Sequence, residues 1–332
     1  MLLTKLAEYL KTRPKDSFFQ VVREAAVGEE DSTLIASEPK VEDAETVEAG
    51  GMRAHVVKAK AASQFTHFLD GIERAHMPLR GGIFPMLYGF TGAVIRGRDT
   101  DRHMFTFDVV SGEKLYFPFA CIDPSALIEI GIAAKDVAEE GDRAVAPSEM
   151  HPLRLLDLER AAVRRDREEA ERKLAERWMK HADGWLLWDG SITGGFETYK
   201  HLRIVGVIKS HRTQYFTGEE QRTVLELRAG ERSSVFMPKW PGRTPVYSWY
   251  LRLHPNEGRD VYFGLIRVEA AAANETIAMA DEISCWLLAE RSPLSLPDGR
   301  WDKLLYPIRD CEQYLRSIAP SRVMIESALA GR

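Results

Sequence analysis

LRLLDLERAAVRRDREEAERKLAERWMK, residues 153–180, contains neither Gly nor Pro, and WLLWDG, residues 185–190, follows it just past Asp183–Gly184. The first stretch predicts one long helix and the second a short strand buried on both faces that ends in Asp189. Upstream, QFTHFLDG (64–71) reads as a strand closing on Asp70–Gly71, and FPMLYGFTGAVIRGRD (84–99) as a glycine-studded strand. HMFTFDVV (103–110) and KLYFPFACI (114–122) read as two more. Downstream, LRIVGVIK (202–209), RTVLELRAG (222–230), RSSVFMP (232–238), VYSWYLRLH (246–254) and DVYFGLIRVEA (260–270) read as strands. ANETIAMADEISCWLLAERS (273–292) and YPIRDCEQYLRSIA (306–319) read as closing helices. Strands, one long helix, a strand ending in Asp, more strands and then helices predict a layered α/β or α+β fold whose mixed central sheet is covered by helices.

Residues 2–12 read as a short amphipathic helix, and an acidic, Ala-rich stretch with little periodicity then runs to Gly50–Gly51. The organisation expected is a small helical and irregular N-terminal region, 1–62, and one large domain, 63–332. The 332 residues carry 45 Lys+Arg against 50 Asp+Glu, a net charge of -5, with 45% apolar and 29% charged residues. This is a globular composition, neither disordered nor collagen-like. Cys121, Cys285 and Cys311 are odd in number and lack CxxC spacing, which argues against a disulfide scaffold or a zinc site. With no long apolar run and charges at Lys5 and Glu8, the chain is expected to be cytoplasmic rather than secreted or membrane-spanning.

Asp70 and Asp189 share one setting: each ends an apolar run and is followed by Gly. Singly, Asp-Gly is an ordinary turn dipeptide. As a pair at two buried strand ends, the carboxylates would lie close enough to need a neutralising partner. A hard divalent cation such as Mg²⁺ or Mn²⁺ is the natural one. The intervening helix offers a third carboxylate. At 100° per residue, Leu156, Val163, Ala170, Leu174 and Trp178 form one stripe of roughly 80°, and Glu171 falls at its edge while Glu169 and Glu176 point away. Glu171 is thus the acid best placed to face the sheet, or else the partner of Arg167 or Lys173. Lys209, His211 and Arg212 precede Tyr215 and Phe216, a grouping of cations and aromatics that suits a phosphate and a base, or simply caps a strand. Arg252 and Arg267 alternate with apolar residues, paired to a core carboxylate such as Glu269 or aimed at a polyanion.

No GxSxG elbow is present, and the glycine pairs beginning at 81 and 194 lack GK[ST] or GxGxxG surroundings, which disfavours serine-hydrolase, kinase and P-loop chemistry.

FLDGIERAH, PMLYGFTGAVIRGRD, LLWDGSI, VGVIKSH, SWYLRL, IRVE and YPIRDCEQYL, spread over residues 64–318, together resemble the NurA nuclease family, an RNase H-like fold related to the Piwi module. The resemblance implies a Mn²⁺- or Mg²⁺-dependent deoxyribonuclease, commonly a dimer, that works with a hexameric HerA-type ATPase in DNA end processing or defence against phage. It implies Asp70, Asp189 and Glu171 as metal ligands, with Glu169 second to Glu171. Lys209 would act at the scissile phosphate, and His211, Arg212, Tyr215 and Arg252 would guide DNA. Tyr306–Pro307 matches the family's C-terminal motif, whose later acidic or His position falls at Tyr314, with Glu312 nearby. That departure leaves room for a catalytically silent DNA-binding or adaptor subunit of such an ATPase.

Overall fold

The computed structural model describes residues 2–12, 19–21, 40–58, 62–137, 139–140, 143–144, 151–194, 201–211, 213–240, 245–256, 259–291, 303 and 305–329. After helix α1 (Leu2–Lys11), the central strands are β1 (Phe65–Gly81), β2 (Phe84–Arg98) and β3 (Met104–Phe117). Helix α2 (Pro152–His181) leads to β4 (Trp185–Asp189), β5 (Ile204–Ile208), β6 (Val246–Arg252) and β7 (Leu265–Ala271). Helices α3 (Asn274–Glu290), α4 (Tyr306–Ile318) and α5 (Arg322–Leu329) close the chain.

The sheet runs β6-β7-β5-β4-β1-β2-β3. β1, β2 and β3 form an antiparallel meander, β4 lies parallel to both β1 and β5, and β7 returns antiparallel to β5. The architecture is therefore mixed α/β, with a large mixed sheet flanked by helices. On one face Ala170, Leu174 and Trp178 of α2 pack on Leu69, Ala93, Ile95, Leu186 and Trp188. On the other, Trp286 and Leu287 of α3 and Ile308, Cys311 and Leu315 of α4 pack on Phe68, Val94, Leu187, Val207 and Val268. Burial from both sides is why β4 reads as an unbroken apolar run. Among the described residues, no helix is long and apolar enough to cross a membrane.

Helix α2 begins where expected because Pro152 occupies its first turn and His151 accepts a hydrogen bond from the Leu153 N–H. It stops before Gly184, whose φ of +104° is open to glycine. The described parts of residues 1–62 are built into the larger body. Ala44–Thr46 and Ala54–Val56 add strands beyond β6 through Phe236–Pro238 and Glu231–Ser233. Leu3, Leu6 and Leu10 of α1 share a core with Leu79, Met86, Ile325 and Leu329.

Several elements differ from the sequence reading: RSSVFMP is two short strands, Glu231–Ser233 and Phe236–Pro238, the strand expected over 260–270 begins only at Leu265, and four further differences follow. β1 continues ten residues past Gly71, because residues 71–81 pair with β2 and the chain reverses at Gly82, φ +61°. The two strands expected over 103–122 begin with a single strand, β3, whose pairing with β2 runs through Ser111 and Gly112. The RTVLELRAG segment is not a strand. Gly218–Leu225 is a helix with Glu219 and Glu220 in its first turn, where acids favourably meet the positive end of the helix dipole, and it buries Val224. Finally, α5 follows the expected last helix.

Candidate functional site

The register sets Leu187 beside Phe68 and Trp188 beside Leu69, so the next step brings Asp189 beside Asp70. Side chains alternate along a strand, so both acids point to the α3–α4 face, as Phe68 and Leu187 do. Asp70 is 6% exposed and its Oδ1 accepts a hydrogen bond from the Gly71 N–H at 2.8 Å. Asp189, half-buried, pairs across to Val207 of β5, and two residues on Lys209 donates from Nζ to Asp189 Oδ2 at 2.7 Å. Burial, with the neighbouring Asp189 charge behind it, pushes the Asp70 carboxyl well above the usual range; Lys209 opposes the shift and Glu171 adds to it.

Glu171 reaches β1 from the α2 side and is 3% exposed. Its Oε2 accepts a hydrogen bond from Trp188 Nε1 at 3.2 Å, and its Oε1 is paired to Arg167. Gly71 makes this approach possible, since a Cβ there would overlap the Glu171 carboxylate. Burial raises the Glu171 carboxyl to about 7, against the pull of Arg167 and Trp188. A value raised above the ordinary 4.5 means that the folded chain holds this proton more tightly than the unfolded one. The resulting stabilisation is full below pH 4.5 and is lost as pH rises through about 7. Glu171→Gln removes this titration. In urea unfolding, its stability relative to the parent should climb between those pH values by about 2–3 kcal/mol; a difference flat with pH would refute the assignment.

The turn after Asp189 is held from below. Glu269 of β7, fully buried, accepts from Ser191 Oγ at 2.7 Å and from the Ile192 N–H at 3.1 Å. Arg267 donates to the same carboxylate at 2.6 Å. Gly206 lets the Gly190 carbonyl lie against β5, where a Cβ would come within 2.6 Å of that oxygen.

No protein-family model matches this chain, and no curated protein does either.

The structure brings Asp70, Asp189 and Lys209 together on the α3–α4 face, sets Glu171 against Gly71 and Trp188 on the opposite, α2 face, and sends other candidates elsewhere. Arg252 is fully buried, and its guanidinium donates to the carbonyls of Leu225, Leu227, Val261 and Phe263, so it ties loops together and is closed to a phosphate. Tyr215 is buried under the Arg267 guanidinium, 5.2 Å from its ring centroid. Arg267 itself is the partner of Glu269 rather than a polyanion contact. His211 bonds through Nε2 to the Leu265 carbonyl at 2.8 Å and stacks on Tyr262; burial drives its ring down to about 4, so it is a neutral aromatic at pH 7. Arg212 lies outside the described residues. Glu169 is half-buried and paired to Lys173. On α4, Tyr306 is exposed, Glu312 pairs with Arg316, and Tyr314 sits beneath Arg96. The α4 residue turned toward β1 is Cys311, whose Sγ donates to the Phe68 carbonyl at 3.2 Å. Sequence reasoning passed over Cys311, Trp188 and the gap at Gly71; the last had a visible signal in the Gly that follows Asp70.

Asp70 and Asp189 are the hard oxygen donors a divalent cation takes, and Glu171 lies across the sheet from them. Among the described residues, no three His, Cys, Asp or Glu side chains are drawn together as a ready-made metal cage. Instead, Lys209 and Arg167 each hold one carboxylate.

Proposed function

We propose that this protein is a Mn²⁺- or Mg²⁺-dependent deoxyribonuclease of the NurA type on an RNase H-like core. The observation that carries the reading is the pairing of Asp70 with Asp189 at neighbouring positions of two parallel strands, with Glu171 coupled to both. These are the first-strand Asp, second-strand Asp and helical Glu that the resemblance implies, and the adjacency of the two Asp residues, with Glu171 close enough across the sheet to influence their charge, supports it.

Asp70, Asp189 and Glu171 would hold the metal, which supplies Lewis-acid activation of water and charge neutralisation at phosphorus. Lys209, on the solvent side of Asp189, would bind a nonbridging phosphate oxygen and fix the strand. Trp188 and Arg167 orient the Glu171 carboxylate, and the Glu269 clamp orients the turn that follows Asp189. A homodimer fed by a HerA-type hexameric ATPase is the assembly this reading carries with it.

A second reading, a silent DNA-binding or adaptor subunit for such an ATPase, is favoured by one observation: Lys209 and Arg167 already neutralise two of the three acids. The two are separated by incubating linear duplex and single-stranded DNA with the protein and Mn²⁺, Mg²⁺ or EDTA, alone and with the cognate ATPase and ATP. Metal-dependent products that EDTA abolishes are expected. DNA retention with no product under any condition, the ATPase included, would replace the nuclease with the adaptor.

A further inference from the structure

Beyond β3 the sheet is only partly continued. The short strand Ala134–Asp136 pairs with Leu115–Phe117 of β3 and no further along. Toward its other end β3 bulges at Phe107, since Asp108 faces Ile95 and Thr106 faces Arg96, which leaves the residue between them without a β2 partner. Between these limits, residues 108–114 pair with β2 on one side and, among the described residues, with no strand on the other; Val109, Ser111 and Gly112 are exposed. The Leu115 N–H points outward, to the Ala133 carbonyl at 2.9 Å. Backbone groups alternate along a strand, so Val109, Ser111 and Glu113 also aim theirs away from β2. The Val109 N–H agrees with this phase: it donates to Asp108 Oδ1 at 2.8 Å, a local substitute for the ladder bond that an edge lacks.

We propose that this edge is an interface with a second copy of the chain, the two β3 strands pairing antiparallel about a two-fold axis at Ser111 so that both sheets run on through it. The limits of the free edge fix that axis. Ser111 lies midway between the bulge at Phe107 and the covered Leu115, so only an axis there uses the whole free segment of both copies. Val109 then exchanges backbone bonds with the second copy's Glu113, and Ser111 with its own counterpart, about six bonds in all. Side chains on the α2 face match in this register. Asp108 comes opposite the second copy's Lys114, and Lys114 has charge to spare because it shares the Asp166 carboxylate with Lys135. Val110 comes opposite Gly112, where a Cβ would meet nothing within 4 Å, so the larger side chain has room. Shifting the axis by one residue, to Val110 or Gly112, loses both matches. The proposal stands on the sheet edge and not on the nuclease reading, although it gives a definite face to the homodimer that reading carries with it.

The test is sedimentation velocity of the full chain from low to high micromolar concentration, with Gly112→Val, Ser111→Cys and Val109→Cys alongside and melting of each. The parent should show a monomer–dimer equilibrium. Gly112→Val has space within its own chain and meets Val110 only across the axis, so it should melt like the parent monomer and raise the dimer dissociation constant about tenfold or more. Ser111→Cys sets two thiols on Cα atoms about 5.5 Å apart, within disulfide reach, and mild oxidation should give a reducible covalent dimer. Val109→Cys puts its two thiols about 13 Å apart along the strands and should give none. The parent, with Cys121, Cys285 and Cys311 in place, is the blank for both. A parent that stays monomeric over the whole range overturns the proposal and leaves the nuclease reading to its own assay. A dimer that Gly112→Val leaves unchanged, or that Ser111→Cys fails to cross-link, also overturns it, because the copies then meet elsewhere. Should Gly112→Val melt below the parent monomer, the contrast between Ser111→Cys and Val109→Cys decides alone.

Discussion

Asp189→Asn should lose metal-dependent DNA hydrolysis by about a thousandfold or more, equivalent to about 4 kcal/mol of transition-state stabilisation, while its unfolding curve stays close to that of the parent. The asymmetry follows from where Asp189 sits. Its carboxylate is half-buried and pairs with Lys209, itself partly exposed. A pair of that kind contributes about 0–1 kcal/mol, and Asn keeps both the shape and one acceptor oxygen. Replacement also removes a negative charge beside Asp70, which relieves the repulsion that raises the Asp70 carboxyl. Asp70→Asn should behave alike for a different reason: burial already disfavours the charged carboxylate there, so a neutral isostere costs the fold little. Both variants, folded by circular dichroism, are compared with the parent in the Mn²⁺ cleavage assay. Full activity in either one would remove it from the metal site.

The features legible in the sequence were those set by period and by punctuation. α2 and β4 announce themselves because a long Gly- and Pro-free amphipathic run and a short all-apolar run each admit one secondary structure at that length. Asp70 and Asp189 were visible because charge at the end of a buried strand is costly and needs a reason. What the sequence concealed was decided by partners distant along the chain. Asp70–Gly71 looks like a turn, yet β2 supplies hydrogen bonds to residues 71–81 and the strand runs on. The acids of α2 look like solvated decoration, yet Asp166 is buried against Lys114, Lys135 and Tyr116, contributed by β3 and the strand after it. Glu159 is buried with neither carboxyl oxygen hydrogen-bonded among the described residues. Arg252 and Lys209 both follow apolar runs in sequence. One donates to four backbone carbonyls and the other reaches a carboxylate, and that difference lies in the loops around them.

Glu269→Ala should cost about 3–5 kcal/mol of unfolding free energy, the usual penalty for breaking a buried ion pair from one side. Anything from about a fifth to the whole of the 5–15 kcal/mol typical of a native protein is then at stake. The loss has two sources. Arg267, 7% exposed, would remain as a charge between the Tyr215 and Trp240 rings without its carboxylate. Ser191 Oγ and the Ile192 N–H would lose their acceptor at the same time. Arg267→Met alone should cost less, since Glu269 keeps those two donors. The double variant Arg267→Met/Glu269→Leu should recover part of the Glu269→Ala loss, because no buried charge is then left unpaired. Urea unfolding of the three variants measures each quantity, and a Glu269→Ala cost below about 1 kcal/mol would mean that water or a rearranged side chain replaces the clamp. The pair is an expensive way to hold a turn that apolar packing could hold more cheaply, and what distinguishes it is direction: hydrogen bonds to Ser191 and Ile192 fix the orientation of the backbone leaving Asp189, which apolar contact does not. The double variant should therefore regain stability without regaining cleavage, and recovery of both together would make the clamp a fold device alone.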